Sequence, residues 1–276
     1  MGEMDGRVAL ITGAARGIGR SHAVRLAAEG ADLVLVDLCA APDAVASPGA
    51  TREDLDATVA AVEAEGRRAV AAVADVRDSA ALRSAVEEGV AALGPLAAVI
   101  SNAGIWAVSN EEPTDPAGQE RIWQETIDIN LTGAWNTLRA TVPGMLEEGR
   151  GGSIVVTAST AAMRAIPLDS VAQNAYTVSK LGLVGLMKIY AAELGPHSIR
   201  VNAVAPTGVA TPMVENDAVA SYMESRSELG DLMANLMPAG PIEPSDVSDA
   251  VAFLCSDRSR YVTGTVLPVD AGFLLA

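Results

Sequence analysis

Seven short apolar runs rich in β-branched residues recur along this chain, and stretches with helical spacing separate most of them. The runs are Val8 to Thr12, Asp32 to Asp37, Ala69 to Ala74, Ala97 to Ser101, Ser153 to Ser159, Arg200 to Ala205 and Gly264 to Val269. Gly19 to Glu29, Asp54 to Glu65 and Ser79 to Leu93 carry apolar residues at helical intervals, closed by Gly30, Gly66 and Gly94. Such alternation admits few solutions, because parallel strands need crossover connections and the crossing helices then cover the sheet. The predicted fold is therefore α/β: a doubly wound, seven-stranded parallel sheet with helices on both faces, in a single domain. A chain of 276 residues, half of them apolar, can bury the core this requires. Ligands of such sheets bind beyond the carboxyl ends of the strands, so chemistry is sought there.

Composition excludes several functions. A formal charge of -16 repels nucleic-acid backbones and anionic lipid surfaces. The first apolar run, Val8 to Ile11, is too short for a signal-peptide core, and no run is long enough to span a membrane. Cys39 and Cys255 lack metal or redox spacing and suit a reducing compartment, so a cytoplasmic location is expected. His22 and His197 stand alone, each reading as solvated or locally bonded, and no metal site is expected. Leu38 to Thr51, rich in Ala, Pro and Ser, reads as a long loop.

The first strand runs into Thr12-Gly13-Ala14-Ala15-Arg16-Gly17-Ile18-Gly19 and then directly into a helix. Glycines there let the chain turn sharply and bring N–H groups at the helix start toward a pyrophosphate, which the helix dipole also favours. Three glycines alone describe any tight turn. Asp37 adds weight: it closes the second strand eighteen residues after Gly19, where a carboxylate accepts hydrogen bonds from an adenosine ribose. Together they point to a Rossmann-type dinucleotide site. A carboxylate at that position repels a 2′-phosphate, so NAD is expected over NADP. Arg16 dissents, since a cation in the glycine loop can serve a phosphate, although it can equally cap or solvate the turn.

Tyr176 and Lys180 lie four residues apart at the head of a stretch with helical character running to about Leu194. They therefore share one helical face. A phenol with a pKa of about 10 is a poor proton shuttle at neutral pH, and a neighbouring ammonium favours the phenolate. Ser159 ends the fifth strand, on the same edge of the sheet as the glycine turn, where its hydroxyl can meet a reacting oxygen. Read alone, it is an ordinary capping serine. Asn102-Ala103-Gly104 ends the fourth strand and Asn130 falls on an expected helix; either asparagine can be purely structural.

These residues spell a family. The Thr-Gly-x-x-x-Gly-x-Gly turn, Asp75-Val76, Asn102-Ala103-Gly104, Asn130, Ser159, Tyr176-x-x-x-Lys180, Asn202 and Pro206-x-Gly208 fall in one order over nearly the whole chain. The sequence resembles the short-chain dehydrogenase/reductases. The resemblance implies that Ser159 polarises the substrate oxygen, Tyr176 exchanges its proton, and Lys180 lowers the tyrosine pKa and holds the nicotinamide ribose. It implies that Asn130 anchors a relay water and that Asp75 and Val76 meet the adenine. Asn102, Ala103 and Gly104 would lie against the cofactor ribose, Gly13, Arg16, Gly17, Ile18 and Gly19 around the pyrophosphate, and Pro206, Val209 and Thr211 against the nicotinamide.

Two departures stand out. Sixteen residues separate Ser159 from Tyr176, more than the family pattern, so extra residues near Leu168 to Val171 must bulge into the substrate loop. Thr160 and Ser170 remain alternatives for the serine role. Thr207 stands where the family carries a glycine.

Val36-Asp37-Leu38-Cys39-Ala40, an insertion at about 39–53, and Pro206 to Met213 resemble the mycofactocin-coupled, carveol dehydrogenase-like branch. That resemblance implies a loop covering the adenosine end of NAD, a cofactor held too tightly to exchange, and mycofactocin as electron acceptor. A variable surface loop is the plainer alternative. Met213, Met223, Met233 and Met237 fall in an expected substrate lid at about 209–240, which suits an apolar alcohol or ketone. The helix from 176 to 194 is apolar on more than one face, and with the family's habit this implies a homotetramer. The expected activity is NAD-dependent interconversion of a secondary alcohol and a ketone. The rivals are an ordinary reductase of oxo-acyl substrates with exchangeable cofactor and a non-catalytic dinucleotide sensor or scaffold.

Overall fold

The structure, a computed structural model, describes residues 2–226 and 229–276. Seven parallel strands form one sheet in the order β3-β2-β1-β4-β5-β6-β7: β1 (Val8–Thr12), β2 (Asp32–Asp37), β3 (Ala69–Val73), β4 (Leu96–Ser101), β5 (Gly152–Thr157), β6 (Ile199–Pro206) and β7 (Val266–Val269). The chain winds outward one way from β1 through β3, then returns to β4 and winds the other way. The crevice opened at that reversal lies past the carboxyl ends of β1 and β4, and the glycine turn leads into it.

Strand residues divide by parity. Ala9, Ile11, Leu33, Leu35, Ala98 and Ile100 join one apolar core; Val8, Leu10, Val34, Val36 and Val99 join the other. Successive side chains of a strand point to opposite faces, so both faces of the sheet are covered and the central strands must be apolar throughout. Helices α1 (Gly17–Ala28), α2 (Arg52–Ala64) and α9 (Pro244–Cys255) supply residues to the first core; α3 (Ser79–Leu93), α5 (Gly133–Glu148) and α6 (Val171–Leu194) supply the second. Between them in the chain come α4 (Pro116–Ile127), α7 (Asp217–Glu224) and the single turn α8 (Leu229–Leu232).

The strands stand where the apolar runs predict them, with trimmed ends. β5 stops at Thr157, leaving Ser159 two residues beyond the strand, and β7 begins at Val266. Helix α6 starts five residues before Tyr176, because Ser170 caps it by accepting from the Gln173 N–H. Tyr176 therefore sits in the helix's second turn, held on both sides by regular backbone. His22 is fully buried, with Nδ1 2.8 Å from the Ser248 hydroxyl, so of its two expected settings the local bond is the one found. Among the described residues no helix is long and apolar enough to cross a membrane, and no group of three metal-ligating side chains occurs.

Candidate active site

The cleft at the strand reversal begins with the glycine turn. Gly13 has φ +67°, and a Cβ there would stand 2.9 Å from the Ala103 Cα; a Cβ on Gly19 would meet the Gly13 carbonyl at 1.9 Å. Only glycine fits where β1, β4 and α1 approach so closely. The first turn of α1 has no side-chain cap and no acidic residue. Its N–H groups and dipole are thus free to take an anion, and the donor set fits a pyrophosphate. Gly13, Arg16, Gly17, Ile18 and Gly19 all line the cleft.

Asp37 stands beside this turn. Its Oδ2 accepts from the Ala15 N–H at 2.9 Å and its Oδ1 from the Cys39 N–H at 3.0 Å, which fixes the carboxylate and leaves each oxygen a second lone pair. Arg16, the dissenting cation, turns instead to the insertion and donates to the Pro48 carbonyl at 2.8 Å. The segment between β2 and α2 forms a roof over this end, with Leu38, Pro42, Val45 and Ala50 on the cleft wall. A second fastening comes from Glu125 of α4, which accepts from the Ala44 N–H, while Val45 packs on Val76, Ile105 and Ile129. Arg77 joins Glu125 to Asp75, at 2.9 and 2.7 Å. Burial pushes the Asp75 carboxyl up, but the hydrogen bonds and charge of Arg77 outweigh it and hold the group below its usual range. Asp75 and Val76 line the cleft, yet the Asp75 carboxylate is committed to Arg77 rather than free for a base.

Asn102 is a strut as well as a wall. Its amide donates to the carbonyls of Thr12 and Gly13 and accepts from the Thr157 hydroxyl, tying together the ends of β1, β4 and β5. Ala103 and Gly104 line the cleft next to it. Asn130 does not line it. It sits in a π-helical turn, Asp128–Thr132, between α4 and α5, fully buried behind Gly104. Both amide hydrogens are used, one on the Ile105 carbonyl and one on the Ser179 hydroxyl, while Oδ1 accepts from the Ile105 N–H. The two donors of the side chain expected to anchor a water are therefore spent on the protein, while Oδ1, with one bond among the described residues, keeps a second lone pair.

Ser159, Tyr176 and Lys180 meet on the opposite wall. The Ser159 hydroxyl accepts from the Ala161 N–H at 3.1 Å, and it lines the cleft together with Tyr176. Lys180 Nζ donates to the Thr157 carbonyl at 2.8 Å and stands 5.5 Å from the centre of the Tyr176 ring. Burial lowers the lysine to about 8. Burial also raises the tyrosine above its ordinary value, and the influence of the Ser159 hydroxyl offsets this only in part. The expected depression of the phenol by Lys180 is thus not the net effect here: the ammonium lies over the ring, and desolvation prevails.

Of the two alternatives to Ser159, Thr160 lines the cleft, whereas Ser170 caps α6 and donates to Glu112. The extra residues form the loop 163–170, with Ile166 on the cleft wall; Val171, expected in the bulge, is already helical. Pro206, Val209 and Thr211 line the cleft after β6, and Thr207 donates to Asn235. Met213 and Met233 reach the wall, and Met223 packs in the cluster beneath it. Met237, expected in the lid, is 60% exposed. Residues 227–228 of that stretch lie outside the described residues.

Sequence reasoning missed Trp106, Arg164, Gln173 and Phe273, all on the substrate side of the cleft. A signal existed for two of them: only 3% of this chain is aromatic, and Trp106 follows the Asn102-Ala103-Gly104 turn almost at once. The cavity measures about 300 Å³. Outside it, Val178, Leu181 and Ile189 of α6 and Trp123 and Trp135 of α4 and α5 are exposed.

A sequence model of a family described as enoyl-(acyl carrier protein) reductase matches residues 13–274. The (-)-trans-carveol dehydrogenase of Rhodococcus erythropolis is 43% identical over 283 residues, covering all of both chains. The crystal structure of a carveol dehydrogenase from Mycobacterium avium in complex with NAD superposes with a TM-score of 0.91 at 46% identity, covering 100% of each chain. A short-chain dehydrogenase from Mycobacterium paratuberculosis bound to NAD gives 0.92, also at 46% identity and full coverage of both chains.

Proposed function

The chain belongs to the short-chain dehydrogenase/reductase family, in its carveol dehydrogenase-like branch, and from that premise we propose that it interconverts a secondary alcohol and its ketone with NAD. The observation that carries this reading is that Ser159, Tyr176 and Lys180 share one cleft with the glycine turn and Asp37. NAD, when bound, supplies the hydride acceptor for oxidation and, reduced, the donor for the reverse. The protein's own residues handle the proton and the placement. Ser159 and Tyr176 hold the substrate oxygen between two hydroxyls; in reduction Tyr176 Oη gives its proton to the carbonyl oxygen, and in oxidation it takes the carbinol proton after its own has passed to solvent, as a phenolate facing the Lys180 ammonium. Lys180, with one N–H on Thr157, keeps two donors for a ribose. Asn130 stands behind them, fixing Ile105 and Ser179, and its remaining Oδ1 lone pair supports the relay water that the family resemblance implies. Asp37 favours ribose hydroxyls and repels a 2′-phosphate, which supports NAD over NADP.

The chain reads as a single NAD-binding domain with an insertion at about 39–53 and a substrate lid at about 209–240. The fastening of the insertion to Arg16 and Glu125 supports a roof that slows release of NAD, and the branch resemblance adds mycofactocin as the external electron acceptor. The exposed apolar faces of α4, α5 and α6 support a homotetramer. Two free thiols support a reducing cytoplasm. The surface charge of -16 disfavours an acidic acyl carrier as partner, which weighs against the oxo-acyl reductase.

The test follows nicotinamide absorbance when the purified protein meets apolar secondary alcohols, first without and then with added NAD. One equivalent of reduction that stalls and ignores free NAD supports the held cofactor. Steady turnover on free NAD makes it an ordinary dehydrogenase, and no absorbance change with any alcohol or ketone overturns the reading.

A further inference from the structure

Beside the reaction centre stands an aromatic wall whose orientation is set by one glutamine. Trp106 leaves the end of β4 and turns its indole toward Tyr176, with ring centroids 6.2 Å apart and planes inclined by 51°. Its ring N–H donates to Gln173 Oε1 at 3.0 Å. Gln173 lies on α6, three residues before Tyr176, and is buried. Its Nε2 donates in turn to the Thr177 hydroxyl at 3.3 Å. An indole N–H can only donate, so the amide must present its oxygen to Trp106 and its nitrogen to Thr177. Behind, the indole packs on an apolar cluster that includes Tyr222, Val219 and Leu168, which joins the lid helix α7 to the substrate loop. The indole is therefore held at its edge and packed from behind, while both Trp106 and Gln173 still line the cleft.

We propose that Trp106 is the residue that decides which face of the carbinol carbon is presented, and that Gln173 is its positioning residue. The inference rests on the alcohol-site reading above. An alcohol gripped at its oxygen by Ser159 and Tyr176 can still rotate about that point. A rigid aromatic plane on one side admits the bulky substituent in one arrangement and resists the other. A loosely held indole would tilt to admit both. Gln173 shares its helix with Tyr176, so the wall and the proton carrier keep one geometry.

The test compares the two enantiomers of cyclohexyl methyl carbinol with the full-length protein and NAD. The wild type prefers one enantiomer. Gln173→Met cuts that preference about tenfold, chiefly by improving kcat/KM for the disfavoured enantiomer relative to the favoured one, while NAD affinity stays close to wild type. Trp106→Phe also lowers the preference, and adding Gln173→Met to it changes nothing more, because the glutamine acts only through the indole. Equal losses on both enantiomers, an unchanged preference in Gln173→Met, an additive double variant, or a wild type with no preference each overturn the inference. A wild type that oxidises neither enantiomer and no other alcohol instead brings down the alcohol-site reading on which it rests.

Discussion

The two halves of the cleft are built differently. The Asp37 half is made of strand ends and the turns that leave them: Gly13, Gly19, Asp37 and Asn102 are held by backbone contacts across β1, β2, β4 and β5. The Trp106 half comes from connections that meet only in the folded chain: the turn after β4, the loop before α6, the segment after β6 and the C-terminal turn carrying Phe273. Even its cation is differently employed. Arg164 donates to the Phe273 carbonyl at 2.9 Å and stacks over that ring at 4.9 Å, clasping the tail to the wall. A rigid half thus serves what every family member must bind, and a half made of loops serves what differs between them. Tyr176 and Lys180 sit at the seam, on the one long helix that reaches both.

The strongest way to break this division is at the seam. Tyr176→Phe keeps the ring packing and removes the proton carrier, so turnover falls by roughly a thousandfold while NAD affinity and thermal stability hold. Retained turnover with an unaltered pH profile would make Tyr176 a mere wall residue. On the rigid side, Asp37→Ala removes the acceptor of two backbone N–H groups as well as the ribose partner, and NAD affinity drops by about ten- to a hundredfold. The gap between NAD and NADP narrows at the same time, because the repulsion goes with the carboxylate. Calorimetry with both cofactors reads this directly, and NADP affinity falling in step with NAD would contradict it. A smaller effect tests the roof. Glu125→Gln keeps the size of the side chain but weakens the charged acceptor for the Ala44 N–H and the pairing with Arg77, so NAD dissociates a few-fold faster without loss of kcat. An unchanged off-rate would mean that the insertion is held by Val45 packing and Arg16 alone.

The same division explains what could be read without a structure. The rigid half was legible because its residues are local in sequence: glycines that a Cβ would abolish, and a strand ending in Asp37. The strands themselves were legible for the same reason. The fastening of Asn130 was not, since it depends on Ile105 and Ser179, far off in the chain. Neither was the start of α6, where polar Gln173 and Asn174 interrupt the apolar spacing while Ser170 caps the helix. Trp106, Arg164 and Phe273 come together only through tertiary packing, and their spacing along the chain carries no motif. The net rise of the Tyr176 pKa was hidden too, because it follows from burial, which the four-residue spacing to Lys180 cannot report.

The gentlest probe concerns His22, which lies under the rigid half between α1 and α9. Burial holds its pKa at about 3, against 6.5 for a free imidazole, and among the described residues its Nε2 has no partner. The folded chain therefore keeps it neutral where the unfolded chain takes up a proton. The sign follows: His22 costs nothing above pH 6.5, and stability falls as pH drops from there toward 3. At one pH unit below the unfolded value the loss is about 1.4 kcal/mol. Urea midpoints at neutral pH and one unit below 6.5 measure it, compared with His22→Phe, which cannot titrate. The variant loses the Ser248 bond and starts lower, yet its midpoint moves less with pH than that of the wild type. Parallel shifts in the two proteins would assign the acid sensitivity to the carboxylates instead, and His22 would be only a packing residue of the rigid half.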